Sequence, residues 1–150
     1  MSDMADIQNA VLGFFEAVDL RDWARAESIM RAPFHLDYSS YGASPAADLE
    51  PTVILEGWKG ILPGFDATHH QLGPLIAEVD GARARVRAYV TALHFLGGAE
   101  GGQIWTVVGT YDIALEQASD SWRLSGLTFN FKFQDGNLQL PKTAHERAAS

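Results

Sequence analysis

The chain has 150 residues, 47% of them apolar, a formal net charge of −8 and no cysteine. That length suits one domain, spanning residues 1–150, which would bury roughly 68–70% of the surface its unfolded chain exposes. Without cysteine there is no disulfide framework, no thiolate metal site and no cysteine nucleophile. The acidic balance excludes the basic footprint that a nucleic acid partner requires.

The first residues, Met1-Ser2-Asp3-Met4-Ala5-Asp6, show neither a basic nor an apolar run, so no secretory leader is expected. No apolar run reaches membrane-spanning length, so no membrane partner is expected either. The expected location is cytoplasmic.

From Asp6 to Asp19, Ile7, Val11, Phe14, Phe15 and Val18 recur at helical spacing. A short second helix is predicted from Asp22, as N-cap, to Met30. Pro33–Tyr38 reads as a strand with Phe34, Leu36 and Tyr38 on one face and His35 and Asp37 on the other. Residues 39–50 are rich in Ser, Ala, Gly and Pro and read as a loop. Pro51–Leu62 reads as a helix opened by proline and closed by Pro63-Gly64.

From Ala67 onward the periodicity changes from helical to alternating. One strand is predicted over Ala67–Val79 and a second over Ala82–Leu96, joined by the Asp80-Gly81 turn. A third runs from Gln103 to Glu116, with Trp105, Val107, Gly109, Tyr111, Ile113 and Leu115 on its apolar face. The fourth, Ser121–Phe133, changes phase near Ser125-Gly126, which signals a β-bulge. From Asp135 the chain turns polar, and the last ten residues read as a loose tail. Helices followed by long strands with tight turns give an α+β class, with a curved antiparallel sheet wrapped around the N-terminal helices and an apolar cavity closed at one end.

His94 stands in phase with Ala82, Ala84, Val86, Ala88, Val90 and Ala92. An imidazole on that apolar face needs a carboxylate, a carbonyl, water or a ligand, because burying it alone costs about 1–3 kcal/mol. Asp19 closes the first helix on the border of its apolar stripe. It either bonds backbone at the helix end or looks into the cavity, paired with His94 or His70. His69 and His70 face opposite ways, and periodicity alone does not choose between them. Tyr38 shares the apolar face of its strand. His35, Asp37, His69, His70 and His94 are ligand-type residues, but none stands at the helical i, i+4 spacing of a metal motif, so no metal is expected. Neither a nucleophile elbow nor a phosphate-cradling glycine loop is present.

Several motifs occur together: Asp22-Trp23 after the first helix, Asp37-Tyr38, Trp58-Lys59-Gly60, Thr68-His69-His70-Gln71-Leu72-Gly73, Ala92-Leu93-His94, Gly109-Thr110-Tyr111 and Trp122-Arg123-Leu124. Over about residues 5–137 this set resembles the SnoaL-like branch of the nuclear-transport-factor-2-like superfamily, to which scytalone dehydratase, ketosteroid isomerase and polyketide cyclases belong. The resemblance implies a conical α+β barrel with a deep apolar pocket, often dimeric. Carried over residue by residue, it places Asp19, Tyr38, His70 and His94 in that pocket. Val18 and Tyr111 stand where scytalone dehydratase has a pocket tyrosine and an asparagine, which implies a different substrate.

The function expected is a cofactor-independent dehydratase, isomerase or cyclase acting on a small, mostly apolar, oxygenated molecule. In this scheme His94, oriented by Asp19, is the general base or acid, His70 is its complement, and Tyr38 holds a substrate oxygen. Phe15, Trp23, Trp105, Tyr111, Phe129 and Phe131 are the expected substrate-binding aromatics. The alternatives are a non-catalytic ligand pocket and a dimerisation module of the same fold. A homodimer is expected through the convex face of the sheet, with Trp105 and Val107 among the outer apolar positions.

Overall fold

The computed structural model describes residues 3–150. The chain opens with helix α1 (Asp3–Asp19), whose Ile7, Val11, Phe14, Phe15 and Val18 are buried, as their spacing requires. After a tight reversal, Asp22 accepts a hydrogen bond from Arg25 N at 3.2 Å and caps α2 (Trp23–Ile29). Strand β1 (Met30–Asp37) follows, then a single 3₁₀ turn at Ser39–Tyr41 and a short strand β2 (Ala47–Leu49). Helix α3 (Pro51–Lys59) begins on the predicted proline, and a 3₁₀ turn at Leu62–Gly64 leads into the strands.

The predicted strand Ala67–Val79 is two strands, β3 (Ala67–Leu72) and β4 (Ile76–Asp80). Pro74 between them has no N–H to give a ladder, and the inward phase changes there, from Thr68, His70 and Leu72 in β3 to Ala77 and Val79 in β4. Both pair antiparallel with the same edge of β5 (Arg83–Phe95), β3 along its second half and β4 along its first. Strands β6 (Ile104–Ala118) and β7 (Ser121–Gly136) complete the sheet, in the order β2-β1-β7-β6-β5-β3. The predicted bulge is present. The β6–β7 register slips where Ala114 faces Gly126 and Leu115 faces Leu124, leaving Ser125 over. A second slip occurs at Val108/Gly109.

The fold class is the expected one, helices against a curved sheet, with two refinements. The sheet stays open rather than closing into a barrel, and it is mixed because β1 runs parallel to β7. Strand β1 enters from the helical layer by a crossover, so no hairpin fixes it antiparallel to its neighbour.

Two further expectations are corrected. The chain end is not loose. Helix α4 (Leu140–Ala149) buries Leu140 and Ala144 fully, and Arg147 Nη1 donates to Gly64 O at 3.0 Å and to Asp66 Oδ1 at 2.8 Å. Gly64 is needed for this docking, since a Cβ there would lie 1.8 Å from Ala144 O. Trp105 and Val107 are not outer positions. They are 8% and 7% exposed and face the concave side, because the sheet bends its apolar odd face of β6 inward.

The apolar residues left on the outside of β5, β6 and β7 are Tyr89, Leu93, Phe95, Ile104 and Phe133. We propose that the chain forms a homodimer through this convex face, with these residues at its centre. Light scattering at tens of micromolar decides it, a dimer mass supporting the proposal and a monomer mass removing it.

Candidate active site

The inward face of β5 carries Ala84, Val86, Ala88, Val90, Ala92 and His94, all 7% exposed or less. The first part of that face packs into the core, and its last two members, Ala92 and His94, line a cavity of about 810 Å³. Its wall combines Phe15 and Val18 of α1, Leu36 and Tyr38 at the end of β1, Trp58 of α3, His70 of β3, His94 of β5, Trp105 and Tyr111 of β6 and Phe129 of β7. Residues Ala43–Ala47 form part of its rim. The segment before them is tied down where Tyr41 Oη and Trp105 Nε1 both donate to Gln134 Oε1, at 3.0 and 2.9 Å.

The polar groups of the cavity follow from the register. Thr68 pairs with His94 and His70 with Ala92, so Thr68 and His70 point to the same side as His94. The two imidazoles are therefore diagonal neighbours, with ring centroids 6.5 Å apart. His69 takes the outer face and lies 3.0 Å from Gln71 Oε1 through Nε2.

Asp19 reaches β3 from the end of α1. Its Oδ1 lies 2.7 Å from His70 Nδ1 and accepts from Thr68 Oγ1 at 2.9 Å, and its Oδ2 accepts from His70 N at 2.9 Å. This corrects the expected pairing, since the carboxylate is bonded to His70 and not to His94. The reason is topological. Strand β3 is the edge strand packed against α1, so Asp19 meets β3 before it can reach β5. His94 instead uses Nδ1 on the carbonyl of Trp105, its cross-strand partner, at 3.0 Å. Its ring lies between Trp105 and Phe65, with centroids 4.2 and 5.0 Å away.

These contacts set the protonation states. Burial alone would raise the Asp19 pKa, but the His70 side chain, the His70 N–H and the Thr68 hydroxyl outweigh it and hold the carboxyl below its ordinary value. Asp19 is thus a carboxylate, and the nitrogen facing it on His70 is Nδ1–H. His70 Nε2 has no protein partner among the described residues. Among the described residues no buried side-chain nitrogen or oxygen lacks a partner, so this atom opens on the cavity. His94 is held neutral, because burial pushes its pKa down to about 4 against the pull of the Trp105 carbonyl. Burial also pushes Tyr38 up to about 12 and Tyr111 well above the usual phenol value, so both remain hydroxyls, close enough to influence each other.

Of the expected residues, the cavity brings together Asp19's partner His70, His94, Tyr38, Phe15, Trp105, Tyr111 and Phe129. Two of the expected aromatics are not on its wall. Trp23 packs against the core from α2, and Phe131 packs edge-on against Tyr41 with centroids 5.2 Å apart. Among the described residues no three His, Asp or Glu side chains converge as metal ligands. Thr68 was missed. It stands two residues before His70 in an alternating strand, which is the signal that puts it on the same face.

The SnoaL-like domain model matches residues 1–128. This chain belongs to the SnoaL-like family. No curated protein matches the sequence. Among solved structures, this SnoaL-like protein is similar to the Kfla4162 protein from Kribbella flavida, at 24% identity and TM-score 0.83, over 99% of this chain and 97% of that one. It is also similar to a candidate scytalone dehydratase from Novosphingobium aromaticivorans, at 15% identity and TM-score 0.75, over 89% and 87% of the chains. A third is the hexachlorocyclohexane dehydrochlorinase LinA-type3 from Novosphingobium barchaimii, at 19% identity and TM-score 0.71, over 89% and 88%. These likenesses establish the shared cystatin-like, nuclear-transport-factor-2-like fold.

Proposed function

We propose that the cavity is the active site of a lyase- or isomerase-type enzyme that removes a proton from a small, mostly apolar, oxygenated molecule. The observation that supports this most is the Asp19–His70 contact of 2.7 Å, with His70 Nε2 left open to an apolar chamber. A general base needs that combination of a fixed tautomer, a lone pair aimed at substrate and little competing water.

The roles differ from those expected of the sequence. His70 takes the substrate proton, and Asp19 holds the ring and stabilises the imidazolium that forms. His94, neutral with Nδ1–H on a carbonyl, offers Nε2 as an acceptor for a substrate hydroxyl. Tyr111 donates to Tyr38, which leaves the Tyr38 O–H as the donor to a carbonyl oxygen and to the negative charge that develops on it. In an elimination, the electrons of the broken C–H bond form the double bond and the leaving group departs with its own pair. A departing hydroxyl requires a proton, and the imidazolium at His70 supplies it. The names of two neighbours, a dehydratase and a dehydrochlorinase, both describe eliminations, in keeping with this reading.

The test is hydrogen exchange in heavy water with a panel of neutral aromatic and alicyclic hydroxyketones, followed by mass spectrometry. Enzyme-dependent deuterium uptake or loss of water from at least one class supports the reading. Tight binding with neither event would make this a ligand-binding pocket instead.

A further inference from the structure

Helix α1 ends in a turn that normally calls for glycine. Arg21 N donates to Val18 O and Asp22 N to Ala17 O, and Arg21 itself sits at φ 58°. That left-handed conformation favours glycine at a helix end, and an arginine there is unusual. Its side chain explains its presence. Nη1 donates to Asp19 O at 2.7 Å and to Thr68 Oγ1 at 3.3 Å, and Nη2 donates to Leu62 O at 2.6 Å and to Phe65 O at 3.2 Å. The guanidinium is therefore held in one place, between the end of α1, the turn before β3 and β3 itself.

The direction of the bonds is fixed at Thr68. Arginine can only donate, so the Thr68 oxygen accepts from Arg21, and its single hydrogen is left for Asp19 Oδ1 at 2.9 Å. We infer that Arg21 and Thr68 form a donor relay that fixes the Asp19 carboxylate and, through it, the Nδ1–H tautomer of His70. Both are positioning residues, and this rests on the reading of Asp19–His70 as the catalytic pair. A chain of donors pointing one way polarises each member, so a cation that makes no hydrogen bond to the carboxylate still acts on it through the hydroxyl, beside its direct charge attraction. The other titratable groups facing Asp19 are His70 of β3, His94 of β5 and Tyr111 of β6. None of them donates to the same oxygen except His70.

The test needs no substrate. The Asp19 carboxyl is titrated by carbon-13 NMR, and the His70 ring nitrogens are read by nitrogen-15 NMR, in wild type, Thr68→Val, Thr68→Ser and Arg21→Met. Thr68→Val keeps the shape and removes the hydroxyl. It is expected to move the Asp19 midpoint upward and to broaden or shift the His70 Nδ1 signal, and Thr68→Ser is expected to restore both. Arg21→Met should move Asp19 in the same direction. The Arg21→Met/Thr68→Val double variant should move it by clearly less than the sum of the two single shifts, because part of the arginine's effect passes through the threonine. Arg21→Gln replaces Arg21→Met if the latter does not fold. Turnover in Thr68→Val is expected to fall by up to about 10²-fold in kcat with KM little changed. An unmoved Asp19 midpoint in Thr68→Val, or additive shifts in the double variant, would overturn the relay and leave Arg21 a purely structural staple. Because these titrations are read without substrate, the relay can fail while the catalytic pair stands. Conversely, an inactive cavity with the predicted shifts would retire the functional reading alone.

Discussion

Replacing His70 with alanine is expected to slow turnover by roughly 10²–10⁴-fold, the usual share of general acid–base catalysis. Asp19→Asn is expected to be almost as damaging. Asparagine keeps the shape but can offer Nδ2–H to His70 in place of a lone pair. That favours the wrong tautomer and turns an N–H, not a lone pair, toward substrate. The two losses should be far from additive, since either substitution disables the same pair. His94→Gln should cost less, because His94 is an acceptor beside the reacting atoms and its amide replacement still accepts. Steady-state kinetics of the four proteins on one substrate checks the order. A His94 variant more damaged than the His70 variant would return the base to His94, the role its place in the sequence first suggested.

The second expectation concerns acid. His94 is held neutral in the fold, with its pKa pushed down to about 4 from an ordinary 6.5. In the unfolded chain it takes a proton as pH falls through about 6.5, while the folded chain does not until about pH 4. Protons therefore favour unfolding within that window, and stability falls as pH falls. Between pH 7 and pH 4.5 this one group is expected to remove about 2–3 kcal/mol. Asp19 works in the same direction but lower. Its pKa is depressed, so its contribution is complete above its ordinary value of 3.8 and is lost as pH falls further. Urea unfolding of wild type and His94→Gln at the two pH values isolates the term. The variant is expected to lose less stability on acidification, by about 2–3 kcal/mol, and parallel losses in the two proteins would show that His94 is not held neutral.

Much of this was readable in the sequence because burial imposes a period. Strand β5 alternates without a break from Arg83 to Phe95, so its inner face, His94 included, was legible residue by residue. The bulge at Ser125 was legible because the apolar phase of β7 jumps there. Elements whose identity depends on contact rather than pattern were not. Helix α4 buries only Leu140 and Ala144, one turn apart, which is too little periodicity to separate a docked helix from a tail. Strand β2 is three residues held by β1 within a loop-like composition. Strands β3 and β4 read as one run although their inward phase changes from even to odd positions across Gly73-Pro74, where the ladder breaks.

The site shows the same division. The members Asp19, Tyr38, His70 and His94 could be named from phase and family resemblance, and the structure puts Tyr38, His70 and His94 on the wall of one cavity with Asp19 bonded behind His70. Which histidine meets Asp19 could not be read, since it depends on β3 lying at the edge of the sheet beside α1. Arg21 gave no signal, because its role comes from a backbone turn and from carbonyls more than 40 positions away.

The most direct measurement of the central claim is the tautomer and partner of His70 by long-range nitrogen-15 to proton NMR at neutral pH. The account predicts a protonated Nδ1 with a strongly downfield hydrogen-bonded proton that disappears in Asp19→Asn, and an unprotonated Nε2 whose shift changes when a neutral aromatic ligand fills the cavity. A proton on Nε2 of His70, or a downfield imidazole proton that belongs to His94 and vanishes with Asp19, would contradict it.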